Sequence, residues 1–303
     1  MKLFKNPKLQ FIPLVLTTHH QPIYRRLKRT TIYLLIYSVV VILAETFFAK
    51  WFDEFQFEKV GQFHLIFSFV LAILVSFRIG TAYSRWWDAR SNWGCLVNDS
   101  RNFAIKFNNY IGFNNNQHLL DCLTQFPELL KHHLRKENGK CQKIITSLGL
   151  NLPEHSNLPS AVVNEIYHII NRYRNDGKLS FEQFLTLDKH LTSMVDVLGS
   201  CEKIANTPVP SLFKIFARQA LFFYMIIFPF GWVDKFGFLI IPMIIVIVDV
   251  LLGLELVSED LETPFENHHV GYSHSDLDLN LDSIAHTIAS NVTAIAKQHN
   301  PIA

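Results

Sequence analysis

The chain has 303 residues, 49% of them apolar and 18% charged, with a mean hydropathy of +0.17. That is too apolar for an average water-soluble protein and too polar for a chain lying wholly in lipid. The formal net charge of +2 gives no reason to expect a nucleic-acid partner, but the charge is unevenly spread: residues 1–30 hold seven Lys/Arg and no acid, and residues 236–296 hold no Lys or Arg.

Residues 1–30 read as a basic lead-in ending in Tyr24-Arg25-Arg26-Leu27-Lys28-Arg29. Its apolar run Phe11–Leu16 is broken by Pro13 and followed by no small-residue cleavage site, so no signal peptide is expected. The cations should hold the N-terminus in the cytoplasm. Thr30 or Thr31 is the expected cap of a first helix reaching about Phe52, with Ile32–Ala44 apolar and Glu45 alone within it. An acid inside a span is a functional candidate, although Glu45 is close enough to Trp51 to reach the interface.

The stretch Gly61–Gly94 organises the chain. As a helix, Gly61–Ser84 is ~36 Å long and crosses a bilayer core of ~30 Å. It ends in Arg78, Arg85 and Arg90 with Trp86, Trp87 and Trp93, a pairing of cations and amphipathic aromatics that marks a water interface. Phe69, Ile73 and Phe77 are spaced four apart and stack along one side. Such a stripe faces lipid or a packed core, or, repeated around an axis, forms successive apolar rings that gate by dewetting. Periodicity does not choose between these.

Residues 85–209 contain no run able to span a membrane and read as a helical, water-exposed portion. Leu119, Leu120, Leu123, Phe126, Leu129 and Leu130 have helical spacing, as do Val163, Ile166, Ile169, Ile170 and Tyr173. Residues 136–160 are the expected flexible loop. Asp176-Gly177 predicts a stop, and Ser180 with Gln183 predicts a capping box opening a helix that carries Leu187, Leu191, Met194 and Leu198. Asn206-Thr207-Pro208-Val209-Pro210 breaks it. A third span is expected over Pro210–Trp232, an outer turn at Gly231–Lys235, and a fourth span over Phe236–Leu256 interrupted by Asp249. An acidic string runs on to Thr263-Pro264-Phe265-Glu266, and a last helix is expected over Ser283–Lys297. The expected divisions are thus 1–30, a basic cytosolic segment; 31–84, spans one and two; 85–209, a cytosolic helical region; 210–257, spans three and four; and 258–303, a cytosolic C-terminal segment.

Cys95, Cys122, Cys141 and Cys201 form no CxxC pair and read as reduced thiols. The pairs His19-His20, His132-His133 and His268-His269 lack the spacing of a zinc enzyme and read as surface histidines. No phosphate-cradling loop or nucleophile–base pair is present, so neither an enzyme nor a cofactor or metal is expected. Arg78 and Asp249, on spans two and four, are expected to pair with each other, or Arg78 to lie at the interface.

Two blocks carry a family resemblance. Phe77-Arg78 with Ala82-Tyr83-Ser84-Arg85-Trp86-Trp87-Asp88-Ala89-Arg90 and Trp93-Gly94 is similar to the signature of bacterial bestrophins. Cys201-Glu202-Lys203-Ile204-Ala205-Asn206-Thr207-Pro208-Val209-Pro210 resembles that family's entry to its third span, and Glu262-Thr263-Pro264-Phe265 its post-membrane element. The resemblance implies an all-α, bestrophin-like fold of four transmembrane helices with a large cytosolic helical region, five copies surrounding a central pore. It implies that Phe69, Ile73 and Phe77 line the pore neck, that Arg78, Arg85, Trp86 and Trp87 brace its base, and that a second, cytosolic constriction lies near Phe181 and Glu182. Glu182 departs from the apolar residue common there, and is otherwise a solvated first-turn acid favoured by the helix dipole. Animal members bind calcium after Pro-Phe. Here Glu266-Asn267-His268-His269-Val270-Gly271 offers too few oxygens, so calcium activation is not carried over.

The expected function is passage of small monovalent ions, cations favoured, through an axial pore in a homopentamer of the bacterial inner membrane, with both termini cytoplasmic. The alternatives are an anion-selective channel of the same family, a membrane enzyme using Glu45 and Asp249, and a non-conducting scaffold.

Overall fold

The computed structural model describes residues 22–52, 57–114, 116–152, 156–266 and 279–298, and these contain helices but no strand. They divide into two compact units, one holding 22–84 and 209–262, the other 85–208, 263–266 and 279–298.

In the first unit, α1 spans Pro22–Phe52 and α2 spans Phe57–Tyr110, of which residues 57–84 belong here. Helix α7 covers Ser211–Phe236 and α8 covers Ile240–Glu262. Among the described residues, three stretches are long and apolar enough to cross a membrane: Lys28–Phe47, Glu58–Tyr110 and Ser211–Glu262. The third is folded back on itself by the short 3₁₀ turn Gly237–Leu239, so α7 packs against α8 and the unit has four apolar helical legs. Gly237 has φ +49°, a left-handed conformation that costs glycine least.

Leu34, Ile42, Leu71, Leu221, Phe228, Ile244 and Val248 form the core between the legs. Outside it, Tyr33, Ile36, Phe47, Phe213, Phe216 and Val246 are exposed. An apolar outer surface on this scale would be costly in water and is the natural face of a protein in lipid. Polar contacts help to tie the legs together. Tyr37 Oη donates to Ile226 O at 3.1 Å, and Trp232 Nε1 donates to His64 Nδ1 at 3.2 Å.

In the second unit, residues 85–110 of α2 join α3 (Gln117–Leu134), α4 (Asn138–Ser147), α5 (Leu158–Asn175), α6 (Phe181–Asn206) and α9 (Leu281–Lys297). Helix α3 packs against α4, α5, α6 and α9. The core includes Trp93, Phe103, Phe107, Leu119, Leu123, Phe126, Ile166, Leu187 and Ile288, all fully buried. The rings of Phe103 and Phe107 stack 6.0 Å apart. The leucine face expected on α3 is this core face. On α5, Val163, Ile166 and Ile170 are buried as the 3.6-residue period requires. The capping box at Ser180 is present: its hydroxyl accepts from Gln183 N, and the Gln183 side chain accepts from Ser180 N.

Five boundaries differ from expectation. Helix α1 begins at Pro22 rather than at Thr30 or Thr31, since proline tolerates a first turn where its missing N–H is not needed. The loop expected at 136–160 contains α4, which folds Cys141 and Ile145 onto the core. The turn expected at Gly231–Lys235 is helical, and the chain reverses at Gly237 instead. The fourth apolar helix therefore runs Ile240–Glu262, not Phe236–Leu256. The last helix starts at Leu281, with the Asn280 side chain accepting from Ser283 N at 3.0 Å.

Candidate functional site

Within the first unit, α2 buries Leu71 and His64 at 2% exposure, Arg78 at 9% and Ala82 completely. At 3.6 residues per turn the other three fall within about 20° of Leu71 around the helix. Phe69, Ile73 and Phe77 fall about 160–240° from Leu71, on the opposite face. They are exposed by 70%, 42% and 72%. With Ala72, Ser76, Gly80, Thr81 and Ser84 they line an open trough made by α2 alone. Phe69, Ile73 and Phe77 are the large apolar members. The rest are small or carry a hydroxyl, and no residue of the trough bears a charge.

The buried side of the same helix carries a charge network. Arg78 Nε donates to Glu255, and its Nη1 lies 2.9 Å from Glu262 Oε1. Lys214 Nζ is 2.6 Å from Glu262 Oε2. These two Glu262 contacts are close enough for ion pairs but are not aligned as hydrogen bonds. Arg218 Nε donates to Glu255 Oε1 at 2.9 Å, and its Nη2 is 3.0 Å from Glu259 Oε2. Cations and carboxylates alternate from Lys214 through Glu262, Arg78, Glu255 and Arg218 to Glu259. The expected partner of Arg78, Asp249, is not in this network; the acids that meet Arg78 lie six and thirteen residues further along α8.

This network is the site that reading the sequence missed. Its signal was present as Lys214 and Arg218 four apart, and Glu255, Glu259 and Glu262 at helical spacing, which together put two complementary stripes at the ends of apolar helices. Helices α2 and α7 also touch through Gly61 and Gly231.

Within the second unit, Arg85 Nη1 donates to Thr207 O at 2.7 Å and its Nη2 donates to Ile204 O. The two sequence blocks of the resemblance thus meet, with a guanidinium on the carbonyls that end α6, where a cation is favoured. Trp86 packs on the core, Trp87 is exposed, and their rings are 6.5 Å apart.

Glu182 is exposed in the first turn of α6 and accepts from the Ser180 hydroxyl at 2.8 Å. Hydrogen bonding from the helix backbone, and then from Ser180, holds its carboxyl below the usual range. Phe181 is exposed beside it, with the Arg174 guanidinium 5.5 Å from its ring.

His132 is not a surface histidine. It is buried, its Nε2 lies 3.0 Å from Glu128 and its Nδ1 pairs with Glu137. His133 pairs with Glu202 at 2.7 Å. Among the described residues no three His, Cys, Asp or Glu side chains converge as a metal site. The calcium-related stretch at 267–271 lies outside the described residues.

Sequence and structure comparisons agree on a likeness. The family described as bacterial/fungal bestrophin proteins matches residues 4–294. A voltage-dependent anion channel-forming protein of Nostoc sp. is 31% identical over 234 residues, 74% of each chain. One of Synechocystis sp. is 29% identical over 78% of each. The crystal structure of a single-residue variant of a bestrophin homologue from Klebsiella pneumoniae matches with a TM-score of 0.78 over 92% of this chain and 100% of its own, at 22% identity. At that identity the structural likeness is one of fold.

Proposed function

The chain belongs to the family of bacterial and fungal bestrophin proteins, a membrane ion-channel family rather than an enzyme family, and on that footing we propose that five copies surround an axial pore for small monovalent ions. The observation that carries the reading is the placement of Phe69, Ile73 and Phe77. They are exposed on the side of α2 opposite its buried seam, so that face is free to line an axis. One helix cannot enclose a conduit, and an apolar stripe becomes a set of rings only when symmetry repeats it. Rings of Phe, Ile and Phe give a dehydrated ion no ligands, so the neck acts as a gate that opens when it widens enough to wet. Residues 85–209 and both termini lie on the cytoplasmic side of the inner membrane, as the basic residues of 1–30 and Arg78–Arg90 favour.

Cations are the favoured ions. The trough on α2 offers no charge to an anion, and Arg78, beside Phe77 in sequence, is committed to Glu255 and Glu262. Glu182, at the proposed second constriction, is exposed and would be multiplied fivefold into an acidic ring. A second reading, anion preference, is favoured by the names of the similar proteins from Nostoc and Synechocystis.

The test is planar-bilayer recording of purified protein with its mass measured in detergent. A mass near five times 35.1 kDa, with unitary currents, is expected. A monomer, or silence at every potential, overturns the proposal. The reversal potential in asymmetric KCl assigns the sign of the permeant ion.

A further inference from the structure

We propose that Arg78 is the positioning residue of the neck: held between Glu255 and Glu262 of α8, it fixes the rotation of α2 and so decides where the Phe77 ring stands. This rests on the reading of Phe69, Ile73 and Phe77 as the neck.

The argument begins with cost. The side chains of Arg78, Glu255 and Glu262 are only 6%, 6% and 4% exposed. Burying such groups is costly before pairing, and packed apolar residues of similar volume often stabilise as well or better. The network is therefore a poor adhesive for helices that already share a buried apolar cluster containing Leu71, Leu221 and Ile244. What a buried ion network supplies is registry. An aliphatic seam tolerates a small rotation because its methyl groups are alike. A guanidinium between two carboxylates does not.

The geometry makes that registry specific to the neck. Glu255 and Glu262 are seven residues apart and share one face of α8, about 10 Å apart along its axis. Arg78 takes one carboxylate with Nε and the other with Nη1. Their second oxygens are held by Arg218 and Lys214 of α7, which stops the carboxylates from following Arg78 if it moves. Phe77 precedes Arg78 directly and points about 100° away around the same helix. A rotation of about 20° that pulls Arg78 off its carboxylates carries a side chain at a radius of about 5–6 Å through about 2 Å. In a narrow apolar ring repeated by symmetry, that distance separates wet from dry.

The test is a double-mutant cycle read by single-channel recording on assemblies of unchanged mass. Arg78→Lys keeps the charge but presents a single ammonium, which cannot span two carboxylates as the fork does. Glu262→Gln removes one anchor without touching α2, and serves where changes at Arg78 impair folding. Each is expected to change open probability by about threefold or more with Phe77 in place, and by much less in the Phe77→Ala background, because the residue being positioned is gone. The same factor in both backgrounds means that Arg78 only supports the fold, and overturns this inference alone. If Phe77→Ala leaves conductance and gating unchanged, the neck reading falls and this inference with it.

Discussion

Gly61 and Gly231 bring two apolar helices into backbone contact: a Cβ added to Gly61 would lie 2.7 Å from the carbonyl oxygen of Gly231. Small residues at such crossings let helices approach closely where there is no hydrophobic force between them. His64 and Trp232, hydrogen-bonded to each other, follow these glycines in sequence.

Gly61→Ala should consequently destabilise the membrane unit, since the clash is with backbone and no side chain can swing aside. A loss of about 1–3 kcal/mol, as in overpacked cores, is expected as a lower thermal midpoint in detergent. Gly80→Ala, whose new Cβ would meet nothing within 4 Å, is the matched control. Equal midpoints for the two variants would mean that the close approach is not maintained.

Phe69→Ala, Ile73→Ala and Phe77→Ala should each raise conductance or open probability, because a wider apolar ring wets more readily. Ion preference should change less, as none of the three offers a ligand. Single-channel recording with reversal potentials measures both. Unaltered currents in the triple variant would show that conduction runs elsewhere.

Glu182→Gln should lower the cation-to-anion permeability ratio, most clearly at low salt, where the Debye length exceeds its value of ~8 Å at physiological ionic strength. Helix backbone and Ser180 hydrogen bonds lower the carboxyl from its ordinary value of 4.5. The Glu182-dependent part should therefore persist as pH falls through 4.5 and vanish only below it. Ser180→Ala should move that loss to higher pH. A reversal potential indifferent to Glu182→Gln would leave it an ordinary solvated acid.

The thiols offer a check on packing in the second unit. Burial pushes Cys122 and Cys201 up to about 12 and raises Cys141, so all three stay protonated and unreactive at neutral pH, whereas Cys95 is exposed. A chromogenic disulfide reagent should titrate one thiol per native chain and four after unfolding, and Cys95→Ser should abolish the native reaction. Rapid reaction of more than one thiol would contradict the tight core around α3 and α6.

Much of this protein was determined locally. Apolar runs of sufficient length dictate helices that suit a bilayer. The four-residue spacing of Phe69, Ile73 and Phe77 puts them on one side whatever the helix packs against, and Ser180 with Gln183 caps α6 without outside help. What the stripe faces was not local: it became the free face only because His64, Leu71 and Arg78 turn the other way, towards partners on α7 and α8. The partner of Arg78 shows the limit most plainly. It lies 177 residues away at Glu255, and which acid of α8 comes level with Arg78 depends on where the chain reverses. The reversal falls at Gly237 rather than at Gly231–Lys235, and the acids that meet Arg78 are Glu255 and Glu262, six and thirteen residues beyond Asp249. A run of apolar residues hardly records where a helix ends, because the next residue is as apolar as the last. That choice fell to the packing of the legs and to the left-handed backbone at Gly237, which only the tertiary structure supplies.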